Sequence, residues 1–119
     1  EAICMSREGY VSEGSGDNVF IVKNGVIRTP HPAAGILNGV TRKTIIDLAR
    51  SKGSQVEEAL LNRYELYTAD EIFLTGTGAE IIPVVEIDSR VIGNGTPGPV
   101  SRQTRKEYLE LVRSEGYQF

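Results

Sequence analysis

Three short phrases in this chain set polar groups beside glycine. They are Tyr10-Val11-Ser12-Glu13-Gly14-Ser15-Gly16-Asp17-Asn18, Ile36-Leu37-Asn38-Gly39-Val40-Thr41-Arg42 and Leu74-Thr75-Gly76-Thr77-Gly78-Ala79-Glu80. In the first, Glu13 precedes Gly14-Ser15-Gly16, where a backbone without Cβ atoms can turn sharply and admit a ligand. A carboxylate there can pair with a protonated ring nitrogen. In the second, Val40 and Thr41 open a helical pattern after Asn38-Gly39. The first N–H groups of a helix lack partners and carry the positive end of its dipole, which suits a phosphate. The third offers hydroxyls and a small-residue backbone at a strand end, able to donate several N–H groups to an anion. Taken singly, each phrase has an ordinary structural reading that residue type alone favours: a solvated turn glutamate, a cap by Asn38 or Thr41, a tight Gly-Thr-Gly turn. Taken together they supply what a phosphorylated, nitrogen-containing aromatic cofactor needs.

Other chemistries find less support. The third phrase has no Gly-Lys-Ser/Thr after it and lacks the strand–GxGxxG–helix setting of a dinucleotide site. His31 is the one histidine, held between Pro30 and Pro32, and Cys4 is the one cysteine, so no metal-ligand spacing exists. There is no Gly-x-Ser-x-Gly nucleophile elbow, although a Ser-His-Asp arrangement built from distant residues stays open. Lys23, Lys43, Lys52 and Lys106 occupy hairpin or helix positions that face solvent, not the apolar surroundings that would depress an amine pKa. A formal net charge of −3 leaves no broad basic surface for nucleic acid or anionic lipid. The chain has no apolar run of membrane-spanning length and no signal-peptide layout at its start. A single cysteine excludes an internal disulfide and fits a cytoplasmic location.

The elements that must position these phrases can be read from periodicity and turn signals. The 119 residues fit one domain. Residues 2–5 and 10–13 form short strands about a turn at Arg7-Glu8-Gly9. Val19–Val22 and Val26–Thr29 flank Asn24-Gly25, a strong type I′ hairpin signal. Pro30 and Pro32 are expected to end that pairing, since proline cannot donate to a ladder. A helix runs over 41–52 with Ile45, Ile46, Leu48 and Ala49 on one face, and Gly53 stops it. Val56–Leu61 reads as a strand, Arg63–Ala69 as a short helix, and Glu71–Thr75 as a strand ending at the third phrase. Ile81–Ile87 reads as one buried strand. The last helix spans 100–114, with Tyr108, Leu109 and Val112 as its apolar stripe. The sum is a mixed α+β domain with a hairpin-rich N-terminal half.

The three phrases, in this order and at this spacing, resemble the C-terminal domain of the class IV (fold-type IV) pyridoxal-phosphate aminotransferases, above all the branched-chain amino acid type. The similarity covers nearly the whole chain, from Glu1 to Val100. It implies the pseudo-barrel domain of that fold, pyridoxal 5′-phosphate as cofactor, amino acids and 2-oxo acids (2-oxoglutarate among them) as substrates, and a homodimer or other homo-oligomer. It implies that Glu13 meets the pyridine nitrogen with Asn18 orienting it, that Leu37 packs on the ring, and that Gly39, Val40, Thr41 and Thr77 serve the phosphate. Gly78 and Ala79 fall where the substrate carboxylate binds; family members often carry alanine in place of Gly78. The family's catalytic lysine lies upstream of the segment resembling residues 1–5, as do a tyrosine near the ring hydroxyl and a phosphate-gripping arginine. The chain is thus expected to be the C-terminal, cofactor-binding part of a longer enzyme, inactive alone. D-amino acid aminotransferase and aminodeoxychorismate lyase share the scaffold and stay open as alternatives. So does a non-catalytic phosphate-binding or interaction module.

Overall fold

The computed structural model describes residues 3–5, 11–14, 18–31, 40–75 and 81–115. In chain order these form β1 (Ile3–Met5), β2 (Val11–Gly14), β3 (Asn18–Lys23), β4 (Val26–Pro30), α1 (Val40–Ser51), β5 (Val56–Ala59), α2 (Arg63–Tyr67), β6 (Glu71–Thr75), β7 (Ile81–Val84), β8 (Glu86–Ile87), β9 (Arg90–Val91) and α3 (Pro99–Glu115). The architecture is mixed α+β, with a central five-stranded sheet in the order β5-β4-β3-β6-β7 and two small pairs, β1-β2 and β8-β9.

The β3–β4 hairpin forms because Asn24 and Gly25 take φ of 51° and 78°, the two left-handed positions that a type I′ turn demands. Its tip is secured from outside, since the Asn24 N–H donates to Asp70 Oδ2 at 2.9 Å. After β4 the chain crosses through α1 to β5, which pairs parallel to β4 from Ile27↔Val56 to Pro30↔Ala59. Such a crossover makes α1 run opposite to both strands, so its N-terminus lies at the end where β4 finishes.

Both sheet faces are covered. Phe20, Val22, Ile27, Phe73 and Ile81 meet Ile45, Ile46 and Ala49 of α1 and Tyr108 of α3. Val19, Ile21, Ile72 and Leu74 point the other way, towards Val11, Leu61, Leu66, Ala69 and Ile92. The alternation along β3 and β6 thus feeds two cores from the same strands. Phe20 and Phe73 are register partners and stack in parallel with centroids 5.0 Å apart.

The hairpin register with β3 runs from Lys23↔Val26 to Ile21↔Arg28 and so stops before Pro30, as expected, but β4 itself continues to Pro30 against Ala59 of β5, and the next ladder bond comes from the His31 N–H to Ala59 O. The parallel partner needs no N–H from Pro30 itself. Two expectations, for 81–87 and for the helix at Arg63, need correction. Residues 81–87 are not one buried strand: the pairing breaks after Val84, β8 turns back onto β9, and Ile82 is 40% exposed. The helix begun at Arg63 ends at Tyr67, with Asn62 and Glu65 forming a capping box; Leu66 is buried while Tyr64 stands 72% exposed. The turn expected at residues 7–9 lies outside the described residues.

Candidate functional site

The topology gathers the described residues of the three phrases towards one end of the sheet. Asn18, the first residue of β3, is the register partner of Thr75, the last residue of β6, and Thr75 in turn pairs with Ile81 at the start of β7. Pro30 and Ala59 end the parallel strands at the same end, and the first turn of α1 lies there too, because Arg42 Nη2 donates to Pro30 O at 3.0 Å. β2 finishes at Gly14, shortly before β3 begins, so the backbone of Glu13 arrives at that end as well. Residues far apart in sequence therefore converge because an antiparallel pair and a parallel crossover share β3–β4.

Of the nine residues singled out by sequence, Asn18 is buried in the first rung of β3, Thr41 is half-buried in the first turn of α1, and Val40 is the first residue of that helix. Glu13 is the third residue of β2. Leu37, Gly39, Thr77, Gly78 and Ala79 lie outside the described residues.

Two residues without an assigned role belong to this end. Thr75 is 1% exposed and its Oγ1 makes no hydrogen bond among the described residues. A buried hydroxyl without a partner costs on the order of 1–3 kcal/mol, so a ligand oxygen beside it would recover that cost. By strand alternation Thr75 and Asn18 share the α1 side of the sheet with Phe73 and Phe20. Arg42 is 2% exposed, and besides Pro30 O it pairs with Glu58 Oε2 at 3.0 Å. The signal for it was present in the helix pattern: 42, 45, 46 and 49 form one stripe, and a cation on an apolar stripe needs an explanation.

The other polar features lie elsewhere. At the opposite end of the sheet, a pocket of about 450 Å³ is bounded by Asp70, Glu71, Asn94, Gly98 and Arg102. There the Glu71 carboxylate accepts from the Val100 and Ser101 N–H groups and from Ser101 Oγ, so it caps α3. On the β8–β9 hairpin, the Tyr67 hydroxyl donates to Asp88 Oδ2 at 2.6 Å, and the Arg90 guanidinium lies 4.4 Å from the Tyr67 ring centre. The hydrogen bond to Asp88, with lesser contributions from desolvation and the Asp88 charge, raises the phenol pKa above its usual value near 10. Among the described residues no group of three His, Cys, Asp or Glu side chains could hold a metal ion, and no helix is long and apolar enough to cross a membrane. Lys43, Lys52 and Lys106 are exposed; Lys23 donates to Thr68 O at 2.6 Å.

The profile of the family described as Amino-transferase class IV matches residues 1–87. The chain belongs to the class IV aminotransferases. It is 53% identical over 116 residues to a "Probable branched-chain-amino-acid aminotransferase" of Aquifex aeolicus, covering 97% of this chain and 37% of that protein. It is 51% identical over 112 residues to the branched-chain-amino-acid aminotransferase of Pseudomonas aeruginosa, covering 94% and 36%. Among solved structures, the branched-chain amino acid aminotransferase from Thermobaculum terrenum in its PLP-form (holo-form) superposes with a TM-score of 0.90 at 46% identity, over 95% of this chain and 37% of that one. The Escherichia coli enzyme gives 0.89 at 44%, over 92% and 37%. The chain thus spans little more than a third of the length of the relatives it matches.

Proposed function

We propose that this chain is the C-terminal, cofactor-binding part of a pyridoxal 5′-phosphate-dependent branched-chain amino acid aminotransferase that uses 2-oxoglutarate as amino acceptor. The observation that supports it most is the convergence at one sheet end of the β3 start, the β6 end and the α1 N-terminus, with the Thr75 hydroxyl, which has no partner among the described residues, beside them. That donor set fits a phosphate: helix N–H groups, hydroxyls and no carboxylate in the first turn of α1. The structure of a relative in its PLP-form, matched over 95% of this chain, supports the same cofactor here.

On this reading Val40 and Thr41 hold the phosphate through the α1 N-terminus, joined by Gly39 and Thr77, and Leu37 packs on the ring. Glu13, oriented through Asn18, accepts from the ring N–H⁺ and keeps that nitrogen protonated, because a nearby anion favours the charged form. When bound, the cofactor supplies an electron sink for the amino acid's Cα electrons, and a protonated ring strengthens it. Gly78 and Ala79 present N–H groups to the substrate carboxylate. The lysine and the remaining pocket walls belong to a preceding part of the protein. The whole enzyme acts as a homodimer, and this chain forms its domain in the pseudo-barrel form of the family. The cytoplasm is its place of action.

The test is pyridoxal phosphate binding by absorbance and thermal shift, followed by borohydride reduction and intact mass. Reversible binding to this chain that is weakened in Glu13→Ala and leaves no lysine adduct supports the reading. A stoichiometric adduct on Lys23, Lys43, Lys52 or Lys106 overturns the assignment of the lysine to a preceding part. In the full-length protein, amino transfer from leucine to 2-oxoglutarate tests the substrate class.

A further inference from the structure

We infer that Arg42 is a positioning residue for the phosphate end of the site, acting through a latch that ties the first turn of α1 to both strands of the parallel pair. The inference rests on the pyridoxal-phosphate reading above and goes beyond it in assigning a role to Arg42 and Glu58.

Helix N–H groups bind a phosphate well only if the helix start is held still relative to the other groups that touch it. Among the residues of α1 whose burial is described, the apolar members of the core begin at Ile45, beyond its first turn. An anchor of the first turn is polar. Arg42 Nη2 reaches Pro30 O at the end of β4 and Glu58 Oε2 on β5, each at 3.0 Å. One guanidinium therefore joins the helix to the strand before it and the strand after it, at the end of the sheet where Asn18 and Thr75 lie.

Stability alone does not account for an arginine here. Burying a guanidinium costs desolvation that its ion pair roughly offsets, so an apolar side chain on the 42-45-46-49 stripe would hold the helix at least as well. An ion pair with fixed geometry adds direction: it sets the height and rotation of the helix start, which an apolar contact leaves loose. The planar fork does this in a way that a lysine ammonium, a point charge on a flexible stem, does not.

The test compares pyridoxal phosphate with pyridoxal, which lacks the phosphate, on the full-length protein carrying Arg42→Lys, Glu58→Ala or both. Arg42→Lys is expected to weaken pyridoxal phosphate about tenfold or more, the scale of one lost charge-assisted hydrogen bond, while pyridoxal binding changes less than about twofold. Glu58→Ala is expected to show the same selectivity at a smaller size, and the double variant to be no worse than Arg42→Lys. Glu58 sits on an edge strand with its side chain about one-third exposed, so its variant carries the test even if Arg42→Lys fails to fold. Equal weakening of both ligands, or no change in either while the melting temperature falls, overturns the inference and leaves the functional reading intact. Absence of pyridoxal phosphate binding by the unaltered protein overturns both.

Discussion

Replacing Gly98 with alanine should destabilise the fold by displacing a carboxylate from a helix it caps. A Cβ built on Gly98 overlaps the Glu71 side chain, whose atoms are its three nearest neighbours. Glu71 has no free path aside: it is 7% exposed and its oxygens accept from Ser101 N–H at 2.7 Å, Ser101 Oγ at 2.8 Å and Val100 N–H at 3.1 Å. These bonds satisfy two orphan donors of α3 and place a negative charge at the positive end of its dipole. A hydrogen bond to a charged group contributes about 1.5–3 kcal/mol, and a lost cap about 0.5–2 kcal/mol. Because the three bonds share one carboxylate they are not additive, so Gly98→Ala should cost roughly 2–4 kcal/mol. Urea unfolding at fixed m measures it. The mechanism is tested by a double-mutant cycle: in a Glu71→Ala background, Gly98→Ala should cost less than about 1 kcal/mol, because the obstructed carboxylate is gone. An unchanged cost in that background would refute the displacement argument.

Other expectations follow from single features. Gly25→Ala should cost about 1 kcal/mol in the same unfolding assay, since φ of 78° strains an L-residue although no atom crowds the added methyl. Thr75→Val should stabilise the ligand-free protein by about 1 kcal/mol by removing a buried hydroxyl that has no partner among the described residues; a loss of stability would mean that the hydroxyl has one. Tyr67 should titrate above the range of an ordinary tyrosine, and Asp88→Asn should bring its phenolate absorbance to lower pH. Because the folded pKa is the higher one, the stability linked to that proton is complete below about pH 10 and is lost as pH rises through the raised value; Tyr67→Phe should remove that part of the pH dependence. Arg42→Met combined with Glu58→Leu should retain or raise stability in the absence of ligand, since both members of the ion pair are then replaced by apolar contact.

Local signals specified much of this protein before any packing was considered. Asn24-Gly25 determined the hairpin because few other dipeptides tolerate two left-handed residues in succession. The stripe of Ile45, Ile46 and Ala49 determined which face of α1 is buried, and the glycine-flanked phrases, by their order and spacing, were enough to name the family. Pairing partners were not legible. Pro30 could remain in its ladder only because β5 arrives parallel to it, and 81–87 broke in two because Asp88 and Ser89 adopt left-handed φ and fold β8 back onto β9. Glu71 gave no sign in sequence of being the cap of a helix that starts 28 residues later. The latch of Arg42 to Pro30 and Glu58, and the rung that sets Asn18 beside Thr75, exist only once the strands are ordered. Backbone preference and side-chain periodicity are properties of neighbours along the chain and can be read there. A hydrogen bond across 16 positions, or a strand pairing across 57, depends on strand order and helix direction, which the three-dimensional competition for burial decides.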